Sequence, residues 1–447
     1  MHRSSFPLVV VRAVARRLVA SARGRGHPCL PRSRSSAALV LGAFALLPAL
    51  AGAEPVLSLA EAVKLAVARS PAIASQQSMA AAAREMSVAA GELPDPKLIG
   101  GFENVPTEGA DAWRLDRDGM TMTRIGVMQD FPREEKRRLR TERAVRDAAR
   151  SDAAAAGAAA AVRRETAAAW FARRYAEDAE RAIAAQVAEA ELAVVAASAA
   201  YRANKAPQAE LLMARSAVIE LANRGTEAKA QTRRARIALA RYLGADAERT
   251  LGDAPDVARL PVAIADLDDV DAQAEVRAAQ AQEAYLATEA DLARAGKLPD
   301  WNAELSYGVR GPGLANMVTL MFSIDLPWST GTRQDREHAA KLKELDAARA
   351  MRDDTRRMRG AEVQSMLAEW ESARTQAQRI RGELLPLNAL RRESALAAYR
   401  GGAGTLAAVL EARRAELDAT LSLLQMEQAA AKAWAWLTYL LPVTEPA

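Results

Sequence analysis

Side chains able to do chemistry are scarce in this chain, and their spacing forbids most of it. Histidine occurs at His2, His27 and His338, and cysteine only at Cys29. A metal centre needs several nitrogen, sulfur or carboxylate donors at set spacing, and a nucleophile needs a base beside it. Neither pattern occurs, and no glycine-rich phosphate loop is present. The adjacent acids Asp268-Asp269 and Asp353-Asp354 read as a helix cap or solvated helix surface. Met120, Met122, Met128, Met317 and Met321 offer thioethers, which suit soft cations. Methionine more commonly fills space than binds ions. The expectation is a protein that is not an enzyme and needs no cofactor, so its function must lie in its elements.

Those elements come twice. Leu93-Pro94-Asp95 is answered by Leu298-Pro299-Asp300, Asp130-Phe131-Pro132 by Asp325-Leu326-Pro327, and Trp170 by Trp370. Tyr201-Arg202 is answered by Tyr399-Arg400, and Tyr242-Leu243 by Tyr439-Leu440, always about 200 residues later. The period is far longer than the 20–50 residues of a solenoid repeat. Each half is therefore a complete unit, and the function is one that two such units share.

The pI of 9.4 suggests a nucleic-acid binder, but the charge is local. Residues 1–53 hold eight of the 61 basic residues and no acid; the remaining 53 face 56 acids, a formal charge of −3. Arginines precede an apolar run at 37–50, and Ala51-Gly52-Ala53 offers small residues for cleavage, the pattern of a signal peptide cleaved after Ala53. Without that leader the chain has no cysteine and no excess of positive charge, so no nucleic-acid partner is expected. Beyond the leader no stretch reads as a spanning helix, so entry into a membrane requires a barrel.

Along the remainder, a helix over 58–92 is interrupted at Ser70-Pro71. Strands follow at 97–105 and 121–131. From 133 to 204 there is one glycine, Gly157, and no proline. A helix of that length spans roughly 105 Å and must pack lengthwise against long partners. A turn at Lys205-Ala206-Pro207 leads to a helix over 208–243, and 245–268 forms a linker. The second unit repeats the order: a helix over 269–296, strands at 301–310 and 316–326, and a helix over 332–400 with a bend at Gly382 or Pro386. The turn at 401–404 then leads to a last helix, 405–441. Its Leu410, Leu417, Leu421 and Leu424 have coiled-coil spacing. Residues 54–244 and 269–442 are the two repeats, and 443–447 a tail.

The later strand pair alternates clearly. Leu305, Tyr307 and Val309, with Val318, Leu320, Phe322 and Ile324, fall on one face; Glu304, Ser306 and Arg310 fall on the other. In the first pair Arg124 and Asp130 share a face. About ten residues with apolar-out, polar-in alternation is the pattern of a membrane strand, although an ordinary hairpin on a soluble core has it too. In a barrel, Arg124, Asp130, Glu304, Arg310 and Asp325 would face the lumen. Four strands are too few to close, so a barrel needs several copies of the chain. The competing class is a soluble periplasmic coiled-coil scaffold or adaptor.

Across 58–442 these motifs resemble the TolC-type outer-membrane efflux factors. The likeness rests on the duplicated order, the LPDP at 93–96, the LPDW at 298–301, the DFP and DLPW strand ends and the two Tyr-Arg turns. Glu103-Asn104-Val105-Pro106 and 120–129 resemble the heavy-metal cation branch, typified by CzcC and CusC. The resemblance implies a mainly α homotrimer with a 12-stranded membrane β-barrel, four strands per chain, and an α-helical periplasmic tunnel. It implies a Gram-negative outer membrane and its lipid as surroundings, and an equatorial place for the linker. Its implied partners are a periplasmic adaptor (membrane fusion) protein and an inner-membrane, proton-driven resistance-nodulation-division pump. The implied activity is export of heavy-metal cations, with a drug-efflux or type I secretion duct as the alternative within the architecture. In such factors acids just after the helical turns line a gate, which nominates Glu210 and Glu411. Ala408 stands where some members carry an acid. Arg202 and Arg400 could pair with the acids, and Gly401, Gly402 and Gly404 would shape the second turn.

Overall fold

The structure, a computed structural model, describes residues 56–261 and 263–440. The leader with Cys29 and its cleavage site, and the tail at 443–447, lie outside the described residues. Two short helices open the described chain, α1 (Leu59–Arg69) and α2 (Pro71–Gly91). The Ser58 hydroxyl accepts from the Glu61 amide at 3.2 Å and the Ser70 hydroxyl from the Ile73 amide at 3.5 Å. Serine caps at both starts, with Pro71 in the first turn of α2, explain why the chain breaks there and resumes as helix.

Strands β1 (Lys97–Glu103) and β2 (Met122–Phe131) follow, then α3 (Glu134–Arg202), unbroken over 69 residues. Helix α4 (Gln208–Leu243) returns beside it and ends at Gly244, whose φ of 61° takes a left-handed turn suited to glycine. A segment with the one-turn α5 (Ile264–Leu267) crosses to α6 (Ala274–Ala295). Then come β3 (Trp301–Arg310), β4 (Met317–Ile324) and α7 (Gln334–Arg379). A π-turn, Ile380–Leu384, joins α7 to α8 (Leu385–Arg400), and α9 (Leu406–Thr438) returns. The π-turn contains Gly382 and precedes Pro386, which has no amide hydrogen to donate; the wider turn absorbs that gap without breaking the helix.

The duplication is visible in the core. The Trp170 indole donates to the Leu57 carbonyl at 3.2 Å, and the Trp370 indole to the Val257 carbonyl at 3.0 Å; each acceptor lies 113 residues upstream. Around them pack Phe171, Leu239, Leu243, Val363, Trp434 and Leu437. The segment after α4 belongs to this core, since Ala247, Leu251 and Leu267 are buried and Leu251 bridges Leu57. Two indoles capturing one irregular strand each hold the repeats together midway along the helices.

Two expectations need amendment. Helix α3 does contain a stretch apolar enough, by length and composition, to cross a membrane. Alanine produces this: it scores as apolar, yet its small side chain lets α2, α4, α6 and α9 pack along the helix. The leucine spacing on α9 also does not form a single seam. Leu417 is buried, but Leu410, Leu421 and Leu424 are half-exposed, while Leu406, Val409, Ala412 and Leu423 are buried. Helix α9 touches α3, α4, α7 and α8, so its apolar surface is spread around the helix.

Candidate functional site

The four strands form one antiparallel sheet in chain order, with β2 and β3 joining the repeats and β1 and β4 left as edges. Register determines its two faces. Val127 opposes Leu98 and Leu305, and Leu305 opposes Leu320. Ile125 opposes Tyr307, which opposes Val318. This face is apolar and uncovered: Leu98, Val318, Leu320 and Phe322 are 75, 70, 61 and 64% exposed. A soluble hairpin would bury such a face against a core.

The opposite face carries the ionisable groups, and they are paired. Arg124 spans three strands: Nε donates to the Ser306 hydroxyl at 2.8 Å, NH1 to Glu103 at 3.2 Å, and NH2 meets Glu304. Glu304 is only 13% exposed and Arg124 19%. Lys97 donates to Asp130 at 2.8 Å. Arg310 donates to the Gly119 carbonyl, which ties the loop between β1 and β2 over the β3–β4 turn. Close approach there requires Gly311, because a Cβ would lie 2.7 Å from the Asp116 carbonyl oxygen. Asp325 lies just beyond β4, exposed, with its amide on the Asp300 carbonyl at 3.0 Å. Thus Arg124, Glu304, Arg310 and Asp130 share one face, as their alternation predicted, and Asp325 sits at its rim. The sequence does not mark Glu103 and Lys97 for this face, because Gly100-Gly101 blurs the alternation of β1. Met122, Met128, Met317 and Met321 fall on this same face by register.

A clasp joins the sheet to the helices. Asp300 accepts from Lys136 Nζ at 2.9 Å and from the Arg133 amide at 3.1 Å, and Lys136 also reaches the Leu298 carbonyl at 2.7 Å. Burial works to raise the Asp300 carboxyl, but these donors outweigh it and hold it below the usual range.

The far ends of the long helices are two turns of one design. After α3 the Lys205 amide bonds the Ala200 carbonyl at 2.9 Å, and Asn204 takes φ 56°. After α8 the Ala403 amide bonds the Ala398 carbonyl at 2.9 Å, and Gly402 takes φ 77°. Both are Schellman closures, with a left-handed residue after the helix. Gly404 is needed for space, since a Cβ would lie 2.9 Å from the Tyr399 amide nitrogen; Gly401 has φ −77° and needs no glycine conformation. Pro207 and Thr405 then cap α4 and α9, so Glu210 and Ala408 hold the same place, one turn in.

Glu210 and Glu411 find other partners than the nominated arginines. Glu210 accepts from the Tyr399 hydroxyl at 3.4 Å, across the two hairpins, and Arg391 of α8 holds Glu411 of α9 at 2.6 Å. Arg202 and Arg400 are exposed and make no ion pair among the described residues. They lie in the last turns of α3 and α8, where a cation favours the helix C-terminus. Burial, and then the Glu210 charge and hydrogen bond, push the Tyr399 phenol up. No three His, Cys, Asp or Glu side chains converge among the described residues.

No family profile matches the sequence, and no curated protein matches it. Solved structures do. The chain is similar to the CmeC outer membrane channel of Campylobacter jejuni at 15% identity and a TM-score of 0.75, over 87% of each chain. CusC, described through its transmembrane channel formation, matches at 14% identity and 0.72, over 86% of this chain and 92% of its own. The open state of the MtrE outer membrane channel of Neisseria gonorrhoeae matches at 17% and 0.68, over 86% and 88%. The fold is that of an outer-membrane channel. The similarity spans 86–87% of this chain, with its mainly helical body and small antiparallel sheet.

Proposed function

We propose that this chain is the outer-membrane channel component of a tripartite efflux system of the resistance-nodulation-division type, exporting heavy-metal cations to the exterior. The observation that carries it is the sheet: one face apolar and exposed, the other charged and internally paired, with both edges open. That combination suits lipid outside and water inside once several copies close the sheet. Three copies give a 12-stranded barrel, and their helices a periplasmic tunnel whose tips meet an adaptor protein backed by a proton-driven inner-membrane pump. The leader, cleaved after Ala53, delivers the chain to the periplasmic side.

Metal cations are favoured as cargo by the likeness of 103–106 and 120–129 to the heavy-metal branch and by four thioethers on the charged face. Glu210 and Glu411, with Arg202, Arg400, Gly401, Gly402 and Gly404 at the turns, are the gate residues in this reading. A deletion strain complemented with the gene and challenged with metals, dyes and antibiotics tests it. Metal sensitivity restored by the gene supports the cargo; sensitivity to dyes and antibiotics alone turns the cargo to drugs. Recovery of the protein in the soluble periplasmic fraction rules out the channel.

A further inference from the structure

The two hairpins obey a numerical relation. Leu298 follows Leu93 by 205 residues, and Asp325 follows Asp130 by 195. Shifting β1 by 205 and β2 by 195 turns the β1–β2 register into that of β3–β4: Leu98 opposite Val127 becomes Ala303 opposite Phe322, as observed. The repeats are thus equivalent down to individual backbone pairs, and β2 against β3 is the junction between one repeat and the next. The open edges β4 and β1 are the same two faces of that junction, one repeat further on.

We propose that β4 of one copy pairs antiparallel with β1 of the next copy in the register inherited from β2–β3. The inference rests on the oligomeric channel reading. Gln129 opposite Ala303 becomes Ile324 opposite Leu98 of the next copy, and Ile125 opposite Tyr307 becomes Leu320 opposite Phe102. Asp130 opposite Asn302 becomes Asp325 opposite Lys97.

The residues at the edges fit this arrangement. Both apolar pairs are exposed in the single chain: Leu98 75%, Ile324 59%, Leu320 61% and Phe102 63%. Lys97 is more than half exposed while holding Asp130, so its ammonium retains donors for Asp325, which has no ion pair among the described residues. Alternative registers fit worse. A slip of one residue sets apolar side chains against the charged face. A slip of two in one direction sets Asp325 against Asp95; in the other it sets Leu320 against Asn104, beyond the end of β1. Open edges are not tolerated in lipid, so the register is fixed by the same pattern that fixes the faces.

The clasp at the helix starts extends the relation. Asp300 is held by Arg133 and Lys136, whereas its counterpart Asp95 is exposed and makes no ion pair among the described residues. At the starts of the long helices the offset is 200, as Glu134 and Gln334 and then Trp170 and Trp370 show, so the counterparts of Arg133 and Lys136 are Arg333 and Arg336. Both are exposed, at the start of α7. Asp95 of one copy therefore takes Arg336 of its neighbour, completing between copies the clasp that Asp300 makes within one.

Cysteine pairs test the register in the full chain carrying Cys29→Ser. Directly opposite residues have Cβ atoms about 4.5–5.5 Å apart, within reach of oxidation or a short bis-thiosulfonate. Ile324→Cys with Leu98→Cys, and separately Leu320→Cys with Phe102→Cys, should give dimer and trimer bands from outer-membrane fractions, lost on reduction. Ile324→Cys with Gly100→Cys, a two-residue slip on the same face, should not. Bands for the slipped pair in place of the other two, in a protein whose native mass is trimeric, overturn the register and leave the channel standing. A monomeric native mass with no bands for any pair removes the channel reading and this inference together.

Discussion

At the first helical tip an asparagine takes the left-handed position and a proline caps the returning helix; at the second, a glycine and a threonine do. Both closures use an amide bonded to the carbonyl five residues earlier, at 2.9 Å. The hydrogen-bond pattern is conserved between halves, whereas the residues that satisfy it are interchangeable. One turn further on the side chains diverge: Glu210 faces Ala408 in the alignment of the turns, and Met213 faces Glu411. What differs between halves is chemistry placed on a common backbone.

The comparison breaks most visibly at the clasp. Asp300→Asn removes two charge-assisted bonds and should destabilise the start of α3 by about 1.5–3 kcal/mol, read as lost amide protection in hydrogen exchange. In the pairing between copies proposed above, Asp95→Asn should leave a single chain unchanged and weaken only the assembly, measured as a lower melting temperature of the oligomer. The sign with pH follows from the lowered Asp300 carboxyl: its stabilisation is complete above the ordinary carboxylate range and is lost as pH falls through the depressed value. A protection profile for α3 that is flat through that fall would mean the clasp contributes nothing.

Smaller effects are expected at the turns. Gly402→Ala should cost about 1–2 kcal/mol because an alanine at φ 77° is strained, while Gly402→Asn, copying Asn204, should cost much less. Equal protease susceptibility at the tips of the two variants would refute the shared design. Thr405→Ala removes the bond that the threonine hydroxyl accepts from the Ala408 amide at 3.3 Å and should cost about 1 kcal/mol. Pro207→Ala has no side-chain cap to lose, so a matching loss there would break the comparison.

The smallest change in stability should come from Glu411→Ala, under about 1 kcal/mol, since its pair with Arg391 is largely exposed. Its effect on function should be the larger one. Combined with Glu210→Ala, it should lower cation preference in planar bilayers; unchanged preference would show that neither acid meets the permeating ion.

Much of this was legible in the sequence because its signals are periodic. Alternation in β3 and β4 gave their faces, and the absence of glycine and proline gave α3. Paired motifs gave the two halves. Serine and proline at 58 and 70–71 marked the first helix breaks. The pairings at the tips were not legible. Arg391 lies 20 residues before Glu411 with a helix reversal between them, so their meeting depends on how α8 is rotated about its axis. Tyr399 and Glu210 belong to different hairpins, and only packing brings them together. Arg202 and Arg400 lie close to the acids in sequence, yet Tyr399 and Arg391 are the groups that reach them.

The rotation of α8 has a source in the π-turn at Ile380–Leu384. A turn that holds one extra residue is a phase shift: everything below it is rotated by about 100° relative to a continuous helix, with almost no change in length. The unbroken α3 has no such element, so the two hairpins are clocks set to different hours. Deleting Gly382 would remove the extra residue and its bulge together, making α7 and α8 one continuous helix while keeping Arg391 on Glu411 and the turn at Gly402 intact.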